Sequence, residues 1–205
     1  MNAVKLVGSF AALVAVLVLA ARLVPVPRGA HDFSLEPAPP AASAGATIDG
    51  FRVTRWPELM PDGWDPCREA AALQRDTRSL TDADAQAALR LKRLRELWDR
   101  APVNDRVDGS AVRMVGYVVP LEAGKGGIRE FLLVPYFGAC IHTPPPPSNQ
   151  IIHVELPDRL PDLKTMDAVW VSGMLSVKRE DSALGASAYR LRAQRIQRYR
   201  EPDRD

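Results

Sequence analysis

"AVRMVGYVVPLE", residues 111–122, decides the fold. Val112, Met114 and Gly116 share one side of an extended chain while Val115 and Tyr117 take the other, the period of two that marks a strand. Four later stretches repeat the pattern: "EFLLVPYF" (130–137), "IIHVELP" (151–157), "AVWVSGMLSV" (168–177) and "AYRLRAQRI" (188–196). Clusters of Gly, Pro, Asp and Ser separate them, as turns require. In the third stretch Ile152, Val154 and Leu156 form one apolar face, which leaves Ile151, His153 and Glu155 on the other. Gly116 and Gly173 lie inside strands, where a missing side chain marks a bend or a close approach. Five short antiparallel strands bent at glycines predict a small five-stranded OB-like (oligonucleotide/oligosaccharide-binding) barrel over about 109–198. A sandwich-like sheet is the alternative.

Upstream of the strands, "SLTDADAQAALRLKRLRELWDRAP" predicts one helix over about 81–100. Thr81 can cap it, and Asp82 and Asp84 put negative charge in the first turn, where the helix dipole favours it. Ala87, Leu91, Leu94 and Trp98 make one apolar stripe, and Pro102 stops the helix. "FRVTRWPELMPDGWDP" (51–66) packs aromatic residues among breakers and predicts a loop of short strand character wrapped on an apolar surface. The fold class is therefore mainly β with one N-terminal helix, in a single folded domain over 51–200.

The N-terminus speaks to location. Lys5 precedes "LVGSFAALVAVLVLAA" (6–21), an apolar run of 16 residues closed by Arg22. A positive flank before such a run is a secretory signal pattern, with Val18-Leu19-Ala20 as a weak cleavage site. The run is shorter than the roughly 20 residues of a comfortable membrane span. Residues 1–26 thus predict a cleaved signal peptide, or an anchor through residues 6–26; either delivers the rest to the periplasm. Residues 27–50 are a Pro/Ala-rich linker without a periodic apolar face, and His31 within it reads as solvated.

Composition excludes little else. Hydrophobic residues make up 46% and charged ones 25% of the 205 residues, an ordinary globular balance. A net charge of +2 gives no electrostatic reason for a nucleic-acid partner. The five arginines between Arg190 and Arg200 alternate with Leu191 and Ala193 and read as an outward strand face and tail. Gly-rich "EAGKGGIRE" (122–130) is a hairpin loop without the helix that a phosphate-binding loop opens.

One stretch is neither ordinary core nor ordinary loop: "FGACIHTPPPPSNQ" (137–150). Cys140 and His142 face the same side if the chain stays extended, and thiolate and imidazole together suit zinc or copper. The same pair describes an activated thiol. Pro144, Pro145, Pro146 and Pro147 hold an extended backbone with little freedom to lose, and Thr143 is pushed from helix by the proline after it. Together with Asn149 and Gln150 they make a stiff loop that fits a preorganised site or a docking ridge. His153, on the next strand, is the third candidate ligand. Against the metal stands cysteine arithmetic: Cys67 and Cys140 are the only two cysteines, and an exported pair can form a disulfide.

The blocks "GYVVPLE", "EFLLVPYFGACIHTPPPPSNQIIHV" and "VWVSGMLSV…AYRL" resemble the bacterial family catalogued as domain of unknown function 3299, over roughly residues 51–198. The resemblance implies an exported protein in the company of export-type transporter permeases and metal-responsive clusters. It makes Cys140, His142, Asn149 and Gln150 the matched motif positions, and no catalytic role comes with it. Lipoprotein-like relatives would carry an N-terminal cysteine that this chain does not have. The functional expectation is a non-catalytic protein that binds or handles a transition metal through Cys140, His142 and His153, acting with an inner-membrane transporter component. The alternatives are an interaction module docking such a component through the proline loop, with Cys67 and Cys140 bonded, and a thiol-dependent enzyme.

Overall fold

The chain turns its alternating stretches into strands whose apolar sides meet. The structure, a computed structural model, describes residues 45–68, 71, 85–122, 126–136 and 146–199. Its strands are β1 (Thr47–Ile48), β2 (Phe51–Val53), β3 (Ser110–Pro120), β4 (Ile128–Val134), β5 (Ile152–Leu160), β6 (Ala168–Ser182) and β7 (Gly185–Arg198), and an α-helix, α1, covers Ala85–Asp99. They form one mixed sheet in the order β1-β2-β3-β4-β5-β7-β6. β3 pairs with β6 along Ser110–Tyr117 and with β4 along Tyr117–Pro120, so β3-β4-β5-β7-β6 is a closed circuit of pairings.

This differs from five short antiparallel strands in three ways. The described sheet has seven strands, two pairs of which (β2–β3 and β5–β7) are parallel. β6 and β7 are long, at 15 and 14 residues, because their hairpin runs on as a ribbon through Lys178–Ser182. The β6 part of that ribbon, "KREDS" (178–182), is polar throughout and carries no alternation to read. β1 and β2 are too short to show a period.

The core lies inside the circuit, on the faces that the alternation assigns. Val112 and Met114 of β3, Phe131 of β4, Val154 of β5, Leu175 of β6 and Tyr189 of β7 are all buried. The two in-strand glycines sit where backbones crowd. A Cβ on Gly116 would lie 2.7 Å from the Val134 carbonyl oxygen, and one on Gly173 would overlap the Arg192 carbonyl.

The wrapping segment closes the core. Leu59 is fully buried, in a 3-10 turn over Trp56–Leu59. The Trp56 indole donates to the Val115 carbonyl at 2.8 Å. Tyr189 donates its hydroxyl to the Leu59 carbonyl at 2.6 Å and accepts the Asn104 N–H at 2.8 Å. Burial raises the Tyr189 pKa above the ordinary phenol value.

In α1, Leu91, Leu94 and Trp98 of the expected stripe are half-buried, whereas Leu89 and Leu97 are exposed. The Thr81 cap lies outside the described residues. The other end is capped by Arg179 of β6, whose guanidinium donates to the Asp99 carbonyl at 2.9 Å and to the Ala101 carbonyl. A cation on these last carbonyls satisfies groups the helix leaves unpaired.

Candidate functional site

Strands of period two have a second face, and on β3, β4 and β5 it is not simply solvated. Val119, Leu132, Val134 and Ile151 form a separate buried apolar cluster there, flanked by Tyr117, Leu121 and Met166. The tip of the β6–β7 hairpin comes over this face: Ile151 Cδ1 is 3.8 Å from where a Gly185 Cβ would stand. Between the tip, the start of the β3–β4 connection and the strands lies a cleft of about 500 Å3. Leu121, Leu132 and Leu184 give it apolar walls, and Glu122, Glu130, His153, Glu180 and Asp181 line it with titratable groups.

His153 is at the centre of an ionic network. Its Nε2 is 3.2 Å from Glu130 Oε2, and its Nδ1 contacts Glu180. Glu180 also takes Lys178 at 2.6 Å and Arg190 at 3.3 Å, and Arg190 reaches Glu155 as well. Glu122 is paired with Arg159 at 3.1 Å. Burial by itself would raise the Glu180 carboxyl, but the Lys178 hydrogen bond and the His153 ring outweigh it, and its pKa is lowered.

A depressed carboxylate contributes stability that is present above its unfolded pKa and is lost as pH falls through the folded one. Thermal unfolding followed as pH is lowered from about 4.3, the ordinary glutamate value, is therefore expected to show an acid loss of stability that Glu180→Gln makes shallower. An unchanged acid limb in that variant would remove Glu180 as its source.

The sequence-derived candidates fare differently. His153 is in the cleft, its side chain only 12% exposed, with both ring nitrogens already facing carboxylates. Cys140, His142, Thr143, Pro144 and Pro145 lie outside the described residues. Pro146, Pro147 and Asn149 are buried, so this half of the loop packs into the protein rather than standing out as a ridge. Asn149 Nδ2 donates to the Pro102 carbonyl at 2.8 Å, and Gln150 Nε2 to the Trp56 carbonyl at 3.1 Å. Gln150 thus ties the loop to the wrapping segment, and Asn149 ties it to the stretch that follows α1. Cys67 is exposed with a free thiol, and pairing with Cys140 involves a residue outside the described ones. Among the described residues no three His, Cys, Asp or Glu side chains converge to hold a metal. No described helix is long and apolar enough to cross a membrane, and residues 1–26 are not among those described. Glu130, Glu180 and Asp181 escaped the sequence reading, since charges in a hairpin ordinarily mean solvent; nothing in their spacing marks them.

Comparison with known families bears out the resemblance: residues 56–198 fit the family described as protein of unknown function (DUF3299). The chain belongs to the DUF3299 family. A crystal structure of a DUF3299 family protein from Pseudomonas aeruginosa PAO1 is 34% identical, with a TM-score of 0.57 over 75% of this chain and 99% of its own. A yobA protein from Bacillus subtilis subsp. subtilis str. 168 is 18% identical, over 43% of this chain and 95% of its own, with a TM-score of 0.26. No curated protein matches the chain.

Proposed function

We propose that this DUF3299 protein is an exported, non-catalytic binding module, an OB-type barrel whose ligand occupies the cleft under the β6–β7 hairpin. The circuit β3-β4-β5-β7-β6, with its parallel β5–β7 pair, supports the barrel. In OB-type barrels ligands lie on the second and third strands, between the first and the last connecting loops. The corresponding parts are β4, β5, the β3–β4 connection and the β6–β7 hairpin. That a cleft of about 500 Å3 lies between these very elements is the observation that carries the proposal. The apolar run 6–21 behind Lys5 supports a periplasmic location, where an inner-membrane transporter component would be its partner.

The metal reading stays beside it for one reason. β4 and β5, the floor of the cleft, are joined by the connection that carries Cys140 and His142, and His153 follows directly on β5. Ligation by His153 requires Glu130 or Glu180 to release a ring nitrogen or to join as a ligand.

One titration series separates the two. The isotope-labelled reduced protein is mapped by amide chemical shifts against a fragment library and, separately, against zinc and copper(I). The module reading expects fragment shifts centred on Leu132, His153 and Leu184; binders that map only elsewhere sink it. The metal reading expects one equivalent bound, weakened about tenfold or more by Cys140→Ser and by His142→Ala. Equal affinity in both variants removes it.

A further inference from the structure

We propose a second binding site, on the outer face of β3 and β6, where Arg113 and Trp170 take the carboxylate of an organic acid. It shares no residue with the cleft. Register partners on neighbouring strands share a face, and they align Val53 of β2, Arg113 of β3, Ser172 of β6 and Arg195 of β7 in one row. The row faces away from the core, since Val112 and Met114 on either side of Arg113 face into it. An arginine in that place ordinarily reaches water. Arg113 is instead only 2% exposed.

Its guanidinium lies over the Trp170 ring, 5.0 Å from the centroid. Nη1 donates to the Ser172 hydroxyl at 3.4 Å, a long bond. The buried Nε has no acceptor, and neither has the buried Trp170 indole N–H. Among the described residues no carboxylate forms an ion pair with Arg113. Asp49, whose charge it feels, is bonded to Arg195 instead. Burial accordingly lowers the Arg113 pKa below the ordinary guanidinium value. A buried charge without a counter-charge, beside a buried donor without an acceptor, is costly to keep. One anion with two oxygens supplies both needs.

The competing ligand classes fit worse. Arg113 and Arg195 repel cations, and a neutral ligand leaves the buried charge uncompensated. Among anions the planar carboxylate matches the open edge of the guanidinium, where Nε–H and one Nη2–H run side by side. Ser172 accepts from Nη1 and keeps its own proton to donate. The chain displays the contact next door, in the Asp49 carboxylate on Arg195. That pair is also the way in. Asp49 stands with Gly50 at the turn of the β1–β2 hairpin, both at positive φ, and its bond to Arg195 crosses the strands that carry Arg113 and Ser172. The hairpin strands are two and three residues long, and β2 meets β3 at two register positions. A ligand carboxylate enters by displacing Asp49.

The test follows the indole N–H resonances of the labelled full-length protein, with that of Trp170 assigned by its loss in Trp170→Phe. Acetate, and a capped dipeptide with a free C-terminal carboxylate, are titrated in against chloride at equal ionic strength. Either acid is expected to shift the Trp170 signal saturably. The Trp56 signal stays in place, since that indole already donates to the Val115 carbonyl. The tighter of the two binders tells a free acid from a chain terminus. Arg113→Met is expected to abolish the shift yet melt at or above the parent temperature, because it removes a buried charge and keeps apolar bulk. Asp49→Asn is expected to bind about tenfold more tightly, the competing carboxylate being gone. No saturable shift, or an unchanged one in Arg113→Met, overturns the proposal. So does a long-lived water in contact with the Trp170 N–H of the acid-free protein, which assigns the gap to solvent. A lower melting temperature in Arg113→Met makes Arg113 structural and counts against the site. Tighter binding of inorganic phosphate overturns the choice of a carboxylate. If Glu201→Gln with Asp203→Asn moves the Trp170 signal without added acid, the chain's own tail is the acceptor and the external ligand falls. None of these outcomes bears on the cleft.

Discussion

Gly173→Ala is expected to remove about 3 kcal/mol or more of folding stability, read as a shift of the urea midpoint without a change of slope. The added Cβ would overlap the Arg192 carbonyl and stand 2.9 Å from the Ala193 Cα. Both obstacles are backbone of β7, so no side chain can swing aside. The site is also a bulge, where the β6–β7 register shifts between Ser172 and Gly173. To admit a methyl, the two longest strands must part at the seam that completes the circuit. Gly63→Ala supplies the comparison. Nothing lies within 4 Å of its Cβ position, and only its positive φ of 79° opposes the change, so about 1 kcal/mol is expected. Equal losses in the two variants would mean that conformation, not close approach, explains Gly173.

Tyr189→Phe is expected to cost about 2–4 kcal/mol, since it orphans a buried acceptor and a donor together. The hydroxyl serves the Leu59 carbonyl and the Asn104 N–H, and through them holds the wrapping segment against β7. Native-state hydrogen exchange should show the segment around Leu59 opening more readily than β3–β6 in this variant. The variant also tests a pH dependence. Because burial raises the Tyr189 pKa, the unfolded chain ionises first as pH rises past about 10. The contribution of Tyr189 is then lost as pH climbs towards its folded value. The parent should lose stability there, and Tyr189→Phe should show a flatter alkaline limb. Parallel limbs would assign the alkaline loss to another group.

What could be read from residues alone follows the physics of burial. A strand with one face in the core must alternate, so Val112, Met114, Ile152 and Val154 announced their side before any coordinates. A strand that meets another backbone closely must give up its Cβ, which is why Gly116 and Gly173 were legible as special positions. The helix announced itself by its stripe. Where both faces of a strand are polar these signals vanish: "KREDSALGAS" (178–187) reads as loop, yet it forms the hairpin over the cleft.

The candidate site was legible only in fragments. His153 stood out by chemical type and by its place on a strand, but not its partners, for Glu130 and Glu180 lie 23 and 27 positions away on other strands. Asn149 and Gln150 looked like members of a binding loop, and their side chains instead bond to backbone carbonyls far away in sequence. A hydrogen bond to a backbone carbonyl leaves no trace in the partner's identity, so no inspection of residues could have assigned these two.

The sequence by itself determined which residues face inward, which strand positions must do without a Cβ, where the helix lies and to which family the chain belongs, because local period, glycine and motif are properties of neighbouring residues. Only the tertiary structure decided that β7 lies parallel to β5, that β3 is shared between β4 and β6, and that Glu130 and Glu180 meet one histidine beside a leucine-walled cleft. Those are relations between segments distant along the chain. They are set by how sheet pairing and core packing are satisfied together, and no local pattern carries them.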